Sequence, residues 1–327
     1  MSGRRNRPLT GAATGRIWQR RPLGWAALSL LALFVTLSQS CAAQPQAGRG
    51  AMPLVEHVGT YVWKLEDAEF GGYSGIEIMD HGTRYMALSD RGTLRWGAVQ
   101  RDDQGRIEGL TSDGRARLRD SKGKVFTSGW TGDSEGIAIG RDGTIWISFE
   151  GLSRVAAYDA PDAKARPLPR PEAFKHFLRN SSLEALAITD DGTLLTIPER
   201  SGAATRPFPV WRFRNGTWDQ PFSIPRTGDW LVTGADVGPD GRLYVLERDF
   251  LGLLGFRSRV RRFDMSDTAL THEQTLLTSR PLQYDNLEGI AVWDDDQGIR
   301  ITLISDDNFN FVQRTELVEY RVTEPAE

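Results

Sequence analysis

Carboxylates recur at two fixed points of a phrase that repeats along this chain of 327 residues. An acidic residue stands before a short alternating apolar run, a Gly-containing turn follows, and a second apolar run ends on another acid. The clearest copy is DSEGIAIGRDGTIWISFEG, from Asp133 to Gly151, and the next is SLEALAITDDGTLLTIPERSG, from Ser182 to Gly202. Looser copies begin at Ser74, Thr233 and Asp285. Glu77, Glu135, Glu184 and Glu288 read as one set, placed just before the first run of each unit. Asp90, Glu150, Glu199, Glu247 and Asp306 read as a second set, closing the second run. Arginines follow three of these acids, at Arg91, Arg200 and Arg248. Further oxygen donors cluster at Asp285-Asn286 and at Asp306-Asp307-Asn308.

These residue types suit two chemistries. Carboxylates and amide carbonyls are hard oxygen ligands, which Ca²⁺ takes six to eight at a time. Arginine grips carboxylates or phosphates through paired N–H groups. Like charges gathered around one axis repel strongly where the dielectric is low, so such a ring needs cations or arginines to compensate it. The expected metal ligands are therefore Glu77, Asp90, Glu150, Glu199, Glu247, Asp285, Asn286, Asp306, Asp307 and Asn308, with calcium as the ion. Glu135, Glu184, Glu288 and Asp306 are the expected catalytic acids, and Arg91, Arg200 and Arg248 the expected contacts to substrate. The competing reading is structural: the repeated acids accept backbone or arginine hydrogen bonds and lock one unit to the next.

Other chemistries find little support. Gly132-Asp133-Ser134-Glu135-Gly136 fits the G-x-S-x-G pattern of serine esterases, but a strand-to-helix elbow is required there and a hairpin pattern follows instead. The four histidines stand in no recognisable triad context. There is no H-x-H, no H-E-x-x-H and no cysteine pair for zinc, and no P-loop or Rossmann fingerprint for nucleotides.

The elements that must position the acids are β-hairpins. Ile137, Ile139, Ile145 and Ile147 alternate with the strand period of two. Asp142-Gly143, Asp191-Gly192 and Asp240-Gly241 tolerate the positive φ of tight hairpin turns. Fixed-period repeats of strand pairs point to a β-propeller of four-stranded blades. The length suggests six blades, with five or seven left open. Pro161–Pro171 reads as an exposed loop, Glu172–Arg179 as one helical turn or two, and the RSRVRR segment Arg257–Arg262 as an exposed strand face.

A formal net charge of −3 and a pI near 5.9 give no general attraction to nucleic acid or to an anionic membrane. Residues 1–42 read as a signal peptide or membrane-targeting segment. Its arginines precede the apolar run Leu23–Leu37, and Ser40-Cys41-Ala42 suits cleavage. Residues 43–54 read as a linker and 55–327 as the propeller domain. The single cysteine, Cys41, forms no intrachain disulfide and stands where an acylated cysteine would sit. Arg20-Arg21 is a weak match to a twin-arginine signal. The expectation is an exported monomer, periplasmic or extracellular, touching membrane only if this segment is uncleaved or lipidated.

The motifs SGIEI at Ser74, ALSDRG at Ala87, DSEGIAI at Asp133, ISFEG at Ile147, SLEALAI at Ser182, IPERSG at Ile197, YVLERDF at Tyr244, DNLEGIAV at Asp285 and SDDNFN at Ser305 occur in one order. In them the chain resembles the esterase-like, phytase-like domain family of bacterial exported proteins, over about Val55 to Val322. The resemblance implies a β-propeller that hydrolyses small-molecule phosphoesters or esters. Metal-assisted phosphate-ester hydrolysis at an acidic mouth is the leading expectation. A non-catalytic, calcium-stabilised propeller that binds a ligand or partner is one alternative, and a metal-dependent lactonase or carboxylesterase the other.

Overall fold

The Asp-Gly turns form as the sequence dictates. Gly143, Gly192 and Gly241 take φ of 83°, 84° and 71°, the left-handed region that glycine enters without a Cβ clash. Each joins two antiparallel strands, and these hairpins recur around a ring in a computed structural model that describes residues 53–127, 129, 131–177 and 182–323. The N-terminal segment read as a signal, with Cys41, lies outside the described residues.

Strand β1 (Val55–Val62) comes first in the chain and serves the last blade. The first blade holds β2 (Tyr73–Met79), β3 (Arg84–Ser89), β4 (Thr93–Arg101) and β5 (Ile107–Leu110), with β6 (Gly114–Arg117) also paired to β4. The second holds β7 (Ser134–Ile139), β8 (Ile145–Phe149), β9 (Arg154–Tyr158) and β10 (Arg166–Pro167). The third runs β11 (Leu183–Ile188), β12 (Leu194–Pro198), β13 (Phe208–Arg214) and β14 (Thr217–Ile224). The fourth runs β15 (Leu231–Val237), β16 (Leu243–Phe250), β17 (Phe256–Met265) and β18 (Leu270–Thr278). The fifth combines β19 (Asn286–Asp295), β20 (Gly298–Asp306) and β21 (Glu316–Val322) with β1, which pairs with β21 from Val55↔Val322 to Val62↔Glu316.

The molecule is thus a five-bladed β-propeller, one blade fewer than the length suggests. The five copies of the phrase are the five inner hairpins, and the remaining length goes into outer strands and connections. Pairing β1 with β21 closes the ring by adding the N-terminal strand to the last blade as its outermost strand. The helical stretch after the Pro-rich loop is one 3₁₀ segment, Glu172–His176.

The inner strands β2, β7, β11, β15 and β19 pack against one another around the axis. Small residues make this approach feasible. A Cβ on Gly289 would lie 2.9 Å from Gly75 Cα, and one on Gly234 would lie 2.8 Å from the Glu288 carbonyl. The central cavity between these strands is only about 10 Å³, room for about one water. The axis is therefore plugged, and chemistry is confined to its mouth. Between blades the core is aliphatic and aromatic; Ile147, Phe149, Leu195, Phe208, Val245 and Leu303 are buried.

One expectation about the outer strands is overturned. Arg261 and Arg262 of the RSRVRR segment are buried, not part of an exposed face. Arg261 donates to Glu247 at 2.6 and 2.8 Å and to Glu273 at 2.8 Å. Paired in this way, the guanidinium tolerates burial.

Candidate functional site

In every blade the pairing of the inner strand with its neighbour slips once, at its N-terminal end. The slips lie between Tyr73 and Gly75, Ser134 and Ile137, Leu183 and Ala185, Val232 and Gly234, and Leu287 and Gly289. A bulge re-aims the extra residue. The skipped positions contain Ser74, Glu135, Glu184, Thr233 and Glu288. Three glutamates therefore stand together at the mouth, with hydroxyls in the other two blades.

Glu77 does not belong to that set. It lies beyond the bulge, paired in register with Met86, at the level of Asp236 in the fourth blade, which pairs with Tyr244. Glu77 and Asp236 form a separate deep pair. Asp236 accepts the backbone N–H of Val292 at 2.6 Å and that of Val237 at 2.7 Å. Burial pushes its carboxyl up to about 7, against the pull of those N–H groups. Burial and then the charge of Asp236 raise Glu77 well above the usual carboxylate range.

The hydroxyls beside the bulges latch the blades. Ser74 Oγ donates to Ser134 O at 2.7 Å, Ser134 Oγ to Ser89 O at 2.7 Å, and Ser182 Oγ to Glu150 O at 2.8 Å. Ser134 is thus a buried donor to a carbonyl, placed on a strand rather than a nucleophile elbow.

The mouth divides electrostatically into two halves. On one side Arg248 reaches in from β16 and neutralises several acceptors. It donates to Asn286 Oδ1 at 2.7 Å, to Glu199 Oε1 at 3.3 Å and to Glu288 Oε1. Asn286 Nδ2 also donates to Glu288 Oε1, at 2.7 Å, and Arg200 donates to Glu199 Oε2 at 3.1 Å. Glu288 and Glu199 are therefore held in an arginine network. Glu247, expected as a ligand, is fully buried and bound by Arg259 at 2.7 Å as well as by Arg261.

On the other side the carboxylates face each other. Asp133, Glu135 and Glu150 each offer an oxygen, and the three oxygens all lie within 4.8 Å of one another. The ion pairs among the described residues include none of these three, nor Glu184. Burial, followed by the charges of Glu184, Asp133, Glu288 and Glu150, raises Glu135 well above the usual range. Burial and then Glu199, Glu150 and Glu288 do the same to Glu184, partly offset by Arg248. Glu150 is pushed up to about 7 by burial and by Asp133. Half-buried, uncompensated carboxylates converging from β7 and the end of β8 supply an all-oxygen donor set, which fits a hard cation. Asp133 was not foreseen. It precedes Glu135 by two residues just as Asn286 precedes Glu288, so the register shared by the repeats was the available signal.

The remaining expected residues are placed nearby with different partners. Asp90 ends the first hairpin, and burial raises it to about 6 despite Arg91. Asp306 is buried and accepts Asn308 N–H at 2.6 Å; burial, then Glu288, raises it to about 8. Asp307 is a clasp: it accepts Gly72 N–H at 2.9 Å, Phe309 N–H at 3.0 Å and Thr315 Oγ1 at 3.0 Å. Asp285 ties down the following loop through Arg314 N–H at 2.8 Å and Gln313 Nε2 at 3.0 Å. Asn308 is exposed, in a left-handed turn with φ of 49°. Arg91 stacks its guanidinium 3.3 Å above the Phe309 ring.

Solved structures resemble the chain to different degrees. The α-L-arabinofuranosidase of Podospora anserina, seen in complex with cellotriose, superposes with a TM-score of 0.51 at 12% identity, over 84% of this chain and 98% of that one. The GH62 α-L-arabinofuranosidase catalytic domain of Coprinopsis cinerea gives 0.49 at 9%, over 82% and 97% of the two chains. A PQQ-bound aldose sugar dehydrogenase of Streptomyces coelicolor gives 0.43 at 13%, over 83% and 100%. The first of these likenesses, at 12% identity, speaks for architecture alone. No protein of curated function matches the sequence significantly. A family profile described as "Phytase-like: Esterase-like activity of phytase" matches residues 68–309, which carry every inner strand and the whole acidic mouth. The chain therefore belongs to this phytase-like, esterase-like family.

Proposed function

We propose that the protein is an exported hydrolase of phosphate esters that works with a calcium ion at the Asp133–Glu135–Glu150 cluster. The observation that supports this is the convergence of those three carboxylate oxygens within 4.8 Å, on the side of the mouth that Arg248 does not neutralise. Asp133, Glu135 and Glu150 would hold the ion, with Glu184 beside them. When bound, a divalent cation supplies charge stabilisation and lowers the pKa of water. Arg248 keeps Glu288 and Glu199 fixed and so shapes the opposite wall. Asp306, whose carboxyl is pushed up to about 8 by burial and then by Glu288, would hold a proton for the leaving oxygen. Beside a bound cation Glu184 would be favoured in its ionised form, which would then accept a proton from the attacking water. Export past the membrane, by the segment before Ala43, would bring the mouth to a calcium-rich compartment. There the protein would act as a monomer on a small molecule.

A second reading, hydrolysis of a neutral carboxylic ester or lactone, is favoured by one feature. Phe250, Leu253, Leu254 and Leu282 are exposed near the mouth, beside Phe256, whose ring lies 5.6 Å from the Arg248 guanidinium.

Calorimetric titration of the full chain with Ca²⁺, alongside assays of an aryl phosphate and an aryl acetate, tests both. The expected result is saturable binding and phosphate release, with Glu135→Gln and Asp133→Asn each lowering binding and turnover at least tenfold. Turnover of the acetate alone would select the second reading. Full phosphatase activity in Glu135→Gln would overturn the proposed site.

A further inference from the structure

The large apolar side chains that stay exposed are gathered at one end of the propeller. Leu253 and Leu254 occupy a single 3₁₀ turn between β16 and β17, with Phe250 just before it. Leu282 stands on the connection from β18 to β19, and Phe311 and Val312 on the loop from β20 to β21. Val62, at the end of β1, and Leu152, after β8, are exposed to a smaller degree. Strand direction puts every one of these at the mouth end. Among the described residues no other large apolar side chain is exposed. The turns of the opposite end, 80–83, 140–144, 189–193, 238–242 and 296–297, consist of Asp, Gly, Thr and other small or polar residues. Exposed apolar surface confined to one face marks an interaction site.

The loops hold these side chains outward. Leu282 N–H donates to Phe256 O at 3.2 Å, and the Phe250 and Phe256 rings lie 5.0 Å apart. Asp285 accepts Gln313 Nε2 and Arg314 N–H, which ties the third loop to the second. Leu282 takes a φ of 59°, which a bulky side chain avoids, and yet leaves that side chain in solvent. Leu253 and Phe311 are almost fully exposed, on separate loops. A folded protein partner needs a continuous patch of about 800 Å² per side, packed as tightly as an interior. Separate apolar tips around a polar opening suit a deformable medium instead. Exposed cations stand beside them: Lys64 beyond Val62, Arg280 before Leu282 and Arg314 after Val312. Lys64 and Arg280 form no ion pair among the described residues, and Arg314 meets Glu316 only at 3.5 Å.

We propose that the mouth end docks on the surface of a zwitterionic phospholipid bilayer, with the apolar tips of blades four and five inserted at the boundary of headgroups and acyl chains. Charge selects this occupant. Headgroup phosphates meet Lys64, Arg280 and Arg314, while headgroup ammonium groups meet the carboxylates of the mouth. A purely anionic surface would set its charge against those carboxylates, and two copies placed mouth to mouth would oppose two acid clusters. Docking does not depend on the hydrolase reading above. Its consequence for substrate does: phosphate esters carried by lipids would reach the carboxylate cluster from the surface on which the protein sits.

Hydrogen exchange of the full chain, followed in calcium-free buffer as phosphatidylcholine vesicles are added, locates the contact. The expected result is slowed exchange over residues 250–256, 280–284 and 309–314, with the turns of the opposite end unchanged. Leu253→Glu and Phe311→Glu, both at exposed positions where folding is indifferent, should each raise the lipid concentration for half-protection about tenfold. The control Gln297→Glu, exposed at the opposite end, should leave it unchanged. Vesicle binding with free exchange in these loops would place the contact in the N-terminal segment and overturn the proposal. Protection that needs no lipid and grows with protein concentration would assign the rim to a second copy, and equal protection in both Glu variants would remove the apolar tips from the contact; either result overturns it too. Lipid-dependent protection in a protein that turns over no ester would uphold docking while the hydrolase reading fell.

Discussion

The carboxyl groups of the mouth are held in the fold at a cost that depends on pH. Asp306 is raised to about 8 and Glu150 to about 7, by burial first and a neighbouring carboxylate second, and burial raises Asp90 to about 6 against the pull of Arg91. A folded state that binds protons more tightly than the unfolded chain loses stability as pH rises. The contribution is fully present below about pH 4, where unfolded carboxyls titrate, and is lost progressively up to about pH 8. Without metal, the melting temperature should therefore fall by several degrees between pH 5 and pH 8. Calcium should restore most of it at pH 8, because a bound cation replaces the proton as the compensating charge. A melting temperature that rises over this interval in metal-free protein would show that the acids are compensated internally.

At the scale of an element, the fourth blade shows how an acid at the expected point of the repeat can be spent on structure. Glu247 ends an apolar run as Glu150 and Glu199 do, yet β16 continues to Phe250 and carries it into the sheet. There it faces Arg259 and Arg261 on β17. Removing one partner from so buried a cluster leaves a charge without compensation. Glu247→Gln should therefore lower unfolding free energy by about 3 kcal/mol or more, measured by urea denaturation. Calcium affinity should stay at the native value in the folded fraction. No sequence pattern distinguishes Glu247 from Glu150. The difference lies in the arginines of the adjacent strand and in how far the strand extends before it turns.

At the scale of the whole molecule, five blades leave the inner strands close enough that glycine is a steric requirement. A Cβ at Gly234 would meet the Glu288 carbonyl at 2.8 Å and Ile290 Cγ2 at 3.2 Å. Gly234→Ala should cost about 1–3 kcal/mol by overpacking, read from the shift in denaturation midpoint. It should also disturb Glu288, whose bulge it abuts. The same tightness leaves no open shaft: ligands reach the mouth from one end, where the bulges, Arg248 and the acids are gathered.

Much of the hairpin architecture was legible in the residues alone. Alternating isoleucines and Asp-Gly pairs set strand period and turn locally, so the inner strands could be read without knowing their neighbours. The repeated acids were legible as well, because each follows from a register within one hairpin. What tertiary structure decided was everything that depends on closure. The number of blades follows from how five repeats and the N-terminal strand share a ring, which length does not fix. The bulges separated Glu77 from Glu135, Glu184 and Glu288, since one extra residue moves a side chain to another level and direction. Arginines from other strands then determined which acids are neutralised: Glu199, Glu247 and Glu288 are, whereas Asp133, Glu135 and Glu150 face one another. Charge type is written in the sequence, but compensation is a matter of distance between residues far apart in the chain, and folding alone sets that distance.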